Sequence, residues 1–134
     1  MKMFALVAVL LGVAAPAFAG DAAEGEEVFN KRCKTCHAVI DASGNAIVKG
    51  GKTGPNLFGV IGRQIGTGDG FKYGPGLVAA GADGTVWDEA SVAAYVVDPS
   101  KWVADKAGAG NKSKMAFKLK EGGEDVAAFL AAHN

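Results

Sequence analysis

Cys33-Lys34-Thr35-Cys36-His37 is the stretch on which the reading of this chain turns. Two cysteines separated by two residues, with histidine immediately after, form the attachment pattern of a c-type haem. Each thiol adds to one vinyl group of the porphyrin, giving two thioethers. Their short separation within one turn lets both sulfurs reach neighbouring corners of a single macrocycle. His37 is then placed to offer its imidazole to the iron as the proximal ligand. The competing readings fit less well. A dithiol redox centre belongs in a βαβ setting, and no such pattern surrounds this stretch. A zinc site takes four ligands. Cys33 and Cys36 are the only cysteines, and the one other histidine, His133, is second from the end.

The chain has 134 residues, enough for one domain. Residues 1–19 read as a secretory signal peptide. Lys2 supplies a positive start, Phe4 to Val13 is almost wholly apolar, and Ala17-Phe18-Ala19 is a small-x-small cleavage site. The apolar run is too short for a membrane span. Cleavage after Ala19 leaves residues 20–134 as the mature domain, located in the periplasm. Export agrees with covalent haem attachment, which bacteria carry out beyond the cytoplasm. Both cysteines are consumed by the cofactor, so none is left for a disulfide. The chain also holds 20 glycines. So short and glycine-rich a sequence has limited side-chain material for a core. A buried porphyrin adds apolar bulk and is structural as well as functional.

Three helices are expected. The first spans Gly20 to Arg32, with Asp21 as N-cap and Glu24, Glu26 and Glu27 toward the positive end of its dipole. Gly25 and Phe29 lie four apart on one face, where the glycine suggests a close helix contact. The second runs from Asp88, its cap, to Val97. Val92, Tyr95 and Val96 form its apolar stripe, and Asp98-Pro99 stops it. A short helical turn is possible from Ser100 to Asp105. The third covers Gly123 to His133, with Glu124 and Asp125 in its first turn and Val126, Phe129 and Leu130 buried. Ala38 to Asn56 reads as loop, with turn signals at Ser43-Gly44-Asn45 and Gly50-Gly51. Gly66 to Gly76 is a second glycine-rich loop. No strand leads into these glycines and no helix leads out, so they do not form a nucleotide-binding loop. The fold class is all-α.

The second axial position decides between function classes. An open position permits gas binding or peroxide chemistry, and a filled one favours electron transfer. Met1 and Met3 leave with the signal peptide, so Met115 is the only thioether of the mature chain. It stands in a glycine- and lysine-rich loop without the spacing of a helix core, which favours ligation over gap filling. His133, on a helix flank at the chain end, is the rival ligand. A neutral thioether favours ferrous iron and raises the reduction potential. With both positions filled by protein, an electron comes and goes without ligand exchange. No constellation of acids, bases or nucleophiles suggests an enzyme. The alternative class is a haem enzyme or gas-binding sensor with an open distal position, and a third is a thiol oxidoreductase.

Further stretches, in order, resemble class I cytochrome c, most closely the cytochrome c2 kind of purple photosynthetic bacteria. They are Gly20-Asp21-Ala22-Ala23-x-Gly25, the haem motif, Lys52 to Leu57, Gly62-Arg63, Phe71-Lys72-Tyr73, Trp87, Tyr95, Lys114-Met115-x-Phe117 and Glu124-Asp125-Val126. The likeness covers essentially the whole mature chain. It implies a small cytochrome c fold: first and last helices crossing, a further helix beside Trp87, and long loops wrapped around one haem c. It implies that the Pro55 carbonyl accepts the Nδ1–H of His37, and that Arg63, Tyr73 and Trp87 hold the haem propionates. Tyr95 resembles the tyrosine near the methionine sulfur, and Phe117 the aromatic beside the exposed haem edge. Gly25, Phe29 and Phe129 resemble the crossing of the terminal helices. Two loops, between His37 and Pro55 and between Pro99 and Met115, are longer than in mitochondrial members. Leu77 and Val78 stand near where those members carry a polar asparagine.

Charge is balanced overall, with 14 basic and 14 acidic side chains, which argues against nucleic acid. It is uneven along the chain. Lys101, Lys106, Lys112, Lys114, Lys118 and Lys120 face only Asp105 within their stretch, and Lys31, Arg32 and Lys34 flank the haem motif. A positive face around the haem edge would steer the protein to acidic docking surfaces. The resemblance implies a cytochrome bc-type complex as donor and a photosynthetic reaction centre or terminal oxidase as acceptor, met by a monomer in transient encounters.

Overall fold

Asp21 starts the first helix. Its backbone is extended, and its carboxylate accepts the N–H groups of Ala23 at 2.9 Å and Glu24 at 3.1 Å. Donors that a helix start leaves unpaired are thereby satisfied. The helix, α1, runs Ala22–Arg32, with Lys31 and Arg32 in the last turn where cations suit the dipole. In this computed structural model the described residues are 12 and 20–134, so the predicted signal peptide, its cleavage site after Ala19 included, lies outside the described residues.

The buried face of α1 is Gly25 and Phe29, as its spacing predicts, and it packs on the last helix, α5, Gly123–Ala131. The two backbones nearly touch: a Cβ on Gly25 would run into the Asp125 carbonyl and stand 2.9 Å from the Phe129 Cβ. The rings of Phe29 and Phe129 meet beside this point, centroids 5.5 Å apart. The Asp125 carboxylate accepts the Asp21 N–H at 2.9 Å, tying the start of one helix to the other. α5 ends two residues before the expected His133.

The intervening chain departs from the three-helix expectation in three places. Ala38 to Asn56 is not all loop. Val39–Ile40 (β1) and Ala46–Val48 (β2) pair antiparallel around the predicted Ser43-Gly44-Asn45 turn. Asp41 shapes that turn by accepting the N–H groups of Ser43 and Asn45, each at 2.9 Å. The glycine-rich loop ends in a helix, α2, Pro75–Gly81, begun by proline at its first position. And Asp98-Pro99 starts a helix as well as ending one. α3 spans Glu89–Val97 behind a reciprocal cap in which Asp88 and Ser91 exchange side-chain and backbone hydrogen bonds. At Asp98 the backbone turns extended, its carboxylate accepts the Lys101 N–H at 3.1 Å, and α4 follows as Pro99–Ala107, longer than the expected turn at Ser100 to Asp105.

Among the described residues five helices and one small hairpin thus surround the core. α5 is sandwiched between α1 and α3, while α4 lies against α2 and α3. Phe29, Phe129, Ile65, Leu130, Val39 and Val103 are the largest of the fully buried apolar side chains. Trp87, Tyr95 and Trp102 form an aromatic cluster, with the Trp87 centroid 5.1 Å from each of the other two and Tyr95 5.6 Å from Trp102. Lys106 joins α4 to the turn after α2 through Asp83 at 3.0 Å and Thr85 at 3.1 Å. Among the described residues no helix is long and apolar enough to cross a membrane.

The crossing makes a direct prediction. Gly25→Ala raises intrinsic helix propensity by about 1 kcal/mol, yet forces a methyl into the Asp125 carbonyl, an overpacking of the kind that costs about 1–3 kcal/mol. Guanidinium unfolding should show a lower midpoint; an unchanged or raised midpoint would contradict so close an approach.

Candidate functional site

The haem motif is coiled off the end of α1. The Cys33 and Lys34 N–H groups both donate to the Phe29 carbonyl, at 2.9 and 3.0 Å, and those of Cys36 and His37 donate to the Cys33 carbonyl, at 3.1 and 3.0 Å. A second strand of chain is laid against this coil. Gly51 N–H donates to Lys34 O and Gly54 N–H to Cys36 O, each at 2.8 Å. Gly54 lies against the His37 ring so closely that a Cβ there would collide with it.

The next residue fixes that ring. His37 Nδ1 lies 2.8 Å from the Pro55 carbonyl oxygen, the partner expected from the resemblance. A carbonyl only accepts, so Nδ1 carries the proton and Nε2 keeps its lone pair free. Burial holds the His37 imidazole below its ordinary titration range, with the Pro55 bond pulling weakly the other way. A neutral ring presenting one lone pair is the form in which histidine binds metals.

The cysteines differ from an activated dithiol. Cys33 is half-buried and Cys36 exposed. Burial, and then the charge of Cys36, push the Cys33 thiol up to about 11. Thiol catalysis needs the reverse, a depressed value that yields thiolate at neutral pH.

Arg63 and Tyr73 are brought together and line one open cavity with Asn56 and Phe58. Burial raises the Tyr73 hydroxyl above its usual range, opposed by the guanidinium of Arg63 beside it. Arg63 is poorly satisfied. Its two terminal nitrogens reach the carbonyls of Phe58 and Asn56 only at 3.4 Å, and its buried Nε has no partner among the described residues. Trp87 joins Arg63 through the backbone: Trp87 N–H donates to Arg63 O at 2.9 Å and Gly62 N–H to Trp87 O at 2.6 Å. Its ring, 8% exposed, packs with Tyr95 and Trp102.

Met115 is partly buried against the core. Its N–H donates to Ser113 Oγ at 3.0 Å, and the same oxygen lies 2.6 Å from the Tyr95 hydroxyl. Ser113 N–H in turn donates to Ser100 Oγ at 3.1 Å. Tyr95 therefore meets the segment two residues ahead of Met115, near the place the resemblance gives it. Phe117 is exposed. His133 sits elsewhere, its ring edge-on to Phe129 at 4.8 Å and its carbonyl accepting Gly59 N–H. Leu77 is half-buried on α2, while Val78 is 50% exposed.

Two features had no role in the sequence reading. Asn56 pairs its side-chain amide with Ile40 like a neighbouring strand, accepting its N–H at 2.9 Å and donating to its carbonyl at 2.8 Å. Ser113 knots the Met115 segment to α3 and α4. Asparagine beside Pro55 and serine beside lysine are common loop residues, so neither carried a signal of its own. The lysines also sort themselves. Lys101, Lys106 and Lys118 are in ion pairs with Asp105, Asp83 and Asp98. Among the described residues Lys112, Lys114 and Lys120 have no such pair.

These residues fit a c-type haem. The imidazole is oriented and neutral, the Cys33 thiol is unactivated, and Arg63 has a buried donor with no partner among the described residues, as an arginine awaiting a carboxylate would. Comparison with known proteins bears on the same point. No protein-family model matches the chain. Cytochrome c2 of Rhodobacter capsulatus is 57% identical over 133 residues, covering 98% of this chain and 96% of that protein. Cytochrome c-550 of Paracoccus versutus is 52% identical over 132 residues, covering 96% and 85%. The X-ray structure of ferric cytochrome c-550 from Paracoccus versutus superposes with a TM-score of 0.81 at 51% identity, covering 85% of this chain and 98% of that one. The Rhodobacter capsulatus cytochrome c2 structure gives the same TM-score at 55% identity, covering 84% and 97%. Likeness of this degree along nearly the whole chain, on a fold that presents Cys33, Cys36 and an oriented His37, means that the chain belongs to the class I cytochrome c family of haem c electron carriers, in its cytochrome c2 branch.

Proposed function

We propose that the chain carries single electrons in the periplasm, with one haem c joined through Cys33 and Cys36 and its iron held by His37 and Met115. Bound haem supplies the one-electron couple. The protein's part is to hold the ligands, bury the group and present an edge to partners. The observation that carries the reading is the 2.8 Å contact from His37 Nδ1 to the Pro55 carbonyl, which fixes the tautomer and raises the basicity of a ligating imidazole. Arg63, Tyr73 and Trp87 take the propionates. The unpartnered Nε of Arg63 favours this role, since a carboxylate withdrawn from water needs a forked, charged donor. Residues 1–19 are a signal peptide removed after Ala19, and residues 20–134 are the working domain.

Partners follow from charge. Lys114 lies across Gly74 and reaches toward the Lys72 carbonyl at 3.4 Å, which sets Lys72 beside Lys114, and Lys112 borders Gly76. These three lysines, with exposed Phe117 close in sequence to Met115, form the docking face. It is narrower than the six lysines of the sequence suggest, because three of those are engaged in ion pairs. The donor is a cytochrome bc-type complex, the acceptor a photosynthetic reaction centre or terminal oxidase, and the carrier is a monomer.

Met115→Ala should abolish the long-wavelength sulfur–iron(III) absorption band, lower the reduction potential and let carbon monoxide bind without denaturant. A wild-type protein that lacks the band and takes up carbon monoxide freely would instead favour an enzyme or gas sensor with an open distal position.

The docking face is tested by kinetics. Reversing Lys72, Lys112 and Lys114 to glutamate should slow reduction by the donor complex by roughly 10-fold or more, and the wild-type rate should fall steeply with ionic strength. Rates indifferent to both salt and charge reversal would rule out electrostatic docking through this face.

A further inference from the structure

The segment that bears Met115 is fastened on both sides to one short piece of chain, the junction between α3 and α4. Upstream, Ser113 is tied to Tyr95 and to Ser100. Downstream, Leu119 N–H donates to the Val96 carbonyl at 2.7 Å. Between Met115 and Leu119 stands Lys118, whose Nζ lies 3.1 Å from Asp98 Oδ2. Asp98 thus uses both carboxylate oxygens: Oδ1 caps α4 through the Lys101 N–H, and Oδ2 holds Lys118. Capping fixes the carboxylate in direction, so the lysine meets an acceptor that is already oriented. Lys118 is 54% and Asp98 32% exposed, which keeps the pair modest in strength. Its position gives it leverage: the strap from Ser113 to Leu119 must part from the junction before Met115 can swing away, and among the described residues this ion pair is its only polar side-chain tie downstream of Met115, next to the buried side chain of Leu119 that ends the strap.

We propose that the Asp98–Lys118 ion pair is a latch on the Met115 strap, which makes Asp98 a positioning residue that sets how readily the sulfur leaves the iron. This rests on the assignment of Met115 as a ligand. It assigns Lys118 to the fold and removes it from the docking face.

The experiment uses the ferric holoprotein and imidazole as the competing ligand, which displaces the thioether only when the strap opens. Lys118→Met keeps the apolar stem and removes the charge, while Asp98→Asn keeps the helix cap and weakens the pair. Each should tighten apparent imidazole binding by about two- to fivefold, the range of an exposed or half-exposed ion pair. The double variant should bind no tighter than the stronger single variant, because both changes remove one interaction. Lys118→Arg should return binding to the wild-type value. Amide exchange at Met115 and Leu119 should quicken in step. Unchanged imidazole binding in both single variants would overturn the latch, and so would effects that multiply in the double variant. If wild-type ferric protein lacks the sulfur–iron band altogether, the ligand assignment is what has failed.

Discussion

The contact on which the site depends is the crossing of α1 and α5, where the backbone at Gly25 rests on the Asp125 carbonyl. α1 ends in the haem motif, so whatever fixes the axis of α1 fixes the origin of Cys33 and His37. A helix of 11 residues is marginal alone. It gains its stability from Phe29 and Phe129 packing on each other beside a point where no side chain intervenes. The glycine that weakens α1 as an isolated helix is what lets it approach its partner, and tertiary packing outweighs propensity here. From that fixed end, the chain is turned back on the Phe29 and Cys33 carbonyls and then clamped by the strand carrying Gly51, Gly54 and Pro55. The orientation of one imidazole is in this sense the last link of a chain that begins at a helix crossing.

How far the sequence announced this differs by element, for physical reasons. α1 and α3 are legible because a capping aspartate stands at the start of each, and α5, which has no side-chain cap, because Glu124 and Asp125 fill its first turn ahead of a buried stripe of helical period. The haem motif and Pro55 were legible through chemistry and resemblance. The hairpin was not, because strands of two and three residues are too short for alternation to register, although its turn was recognised. α2 was hidden by its own composition: Gly76 and Gly81 are buried where backbone passes close by, so glycine reads as loop while serving packing. α4 is longer than its sequence suggests because proline after Asp98 reads as a stop, whereas proline at a first helical position is equally a start.

The site shows the same division. Residues with a fixed chemical duty stand out in sequence, since little else explains a Cys-x-x-Cys-His stretch or a lone methionine among lysines. Residues that position them do not. Asn56 imitates a strand with its amide, Ser113 gathers three hydroxyl and amide contacts, and Asp98 faces two elements at once. Each is an ordinary loop residue whose role exists only once distant segments meet. Even the lysines change meaning when folded. Half of the cluster from Lys101 to Lys120 is spent on ion pairs, and the cations left near Met115 owe their company to Lys72, which is remote in sequence.

An electron carrier has to change charge without rearranging its ligands, so the order in this fold should be greatest where those ligands are held. The two proposed ligands are held by separate devices. His37 is set by α1, by Gly54 and by the Pro55 carbonyl, all close to it in the chain or packed directly on its ring. Met115 lies in a strap with no regular structure, and its order is borrowed from α3 and α4 through Ser113, Lys118 and Leu119. Local opening draws on whichever segment has the fewest buried contacts. The strap qualifies, since Lys114, Ala116, Phe117 and Lys118 are all exposed. The asymmetry follows from the chain itself: the histidine side is locked by backbone packed directly on its ring, and the thioether side by buried contacts at Tyr95 and Leu119 together with the half-exposed Asp98–Lys118 pair, which can be loosened on its own. The ease with which the ligand set comes apart is therefore governed from the α3–α4 junction, not from the helix crossing that governs stability.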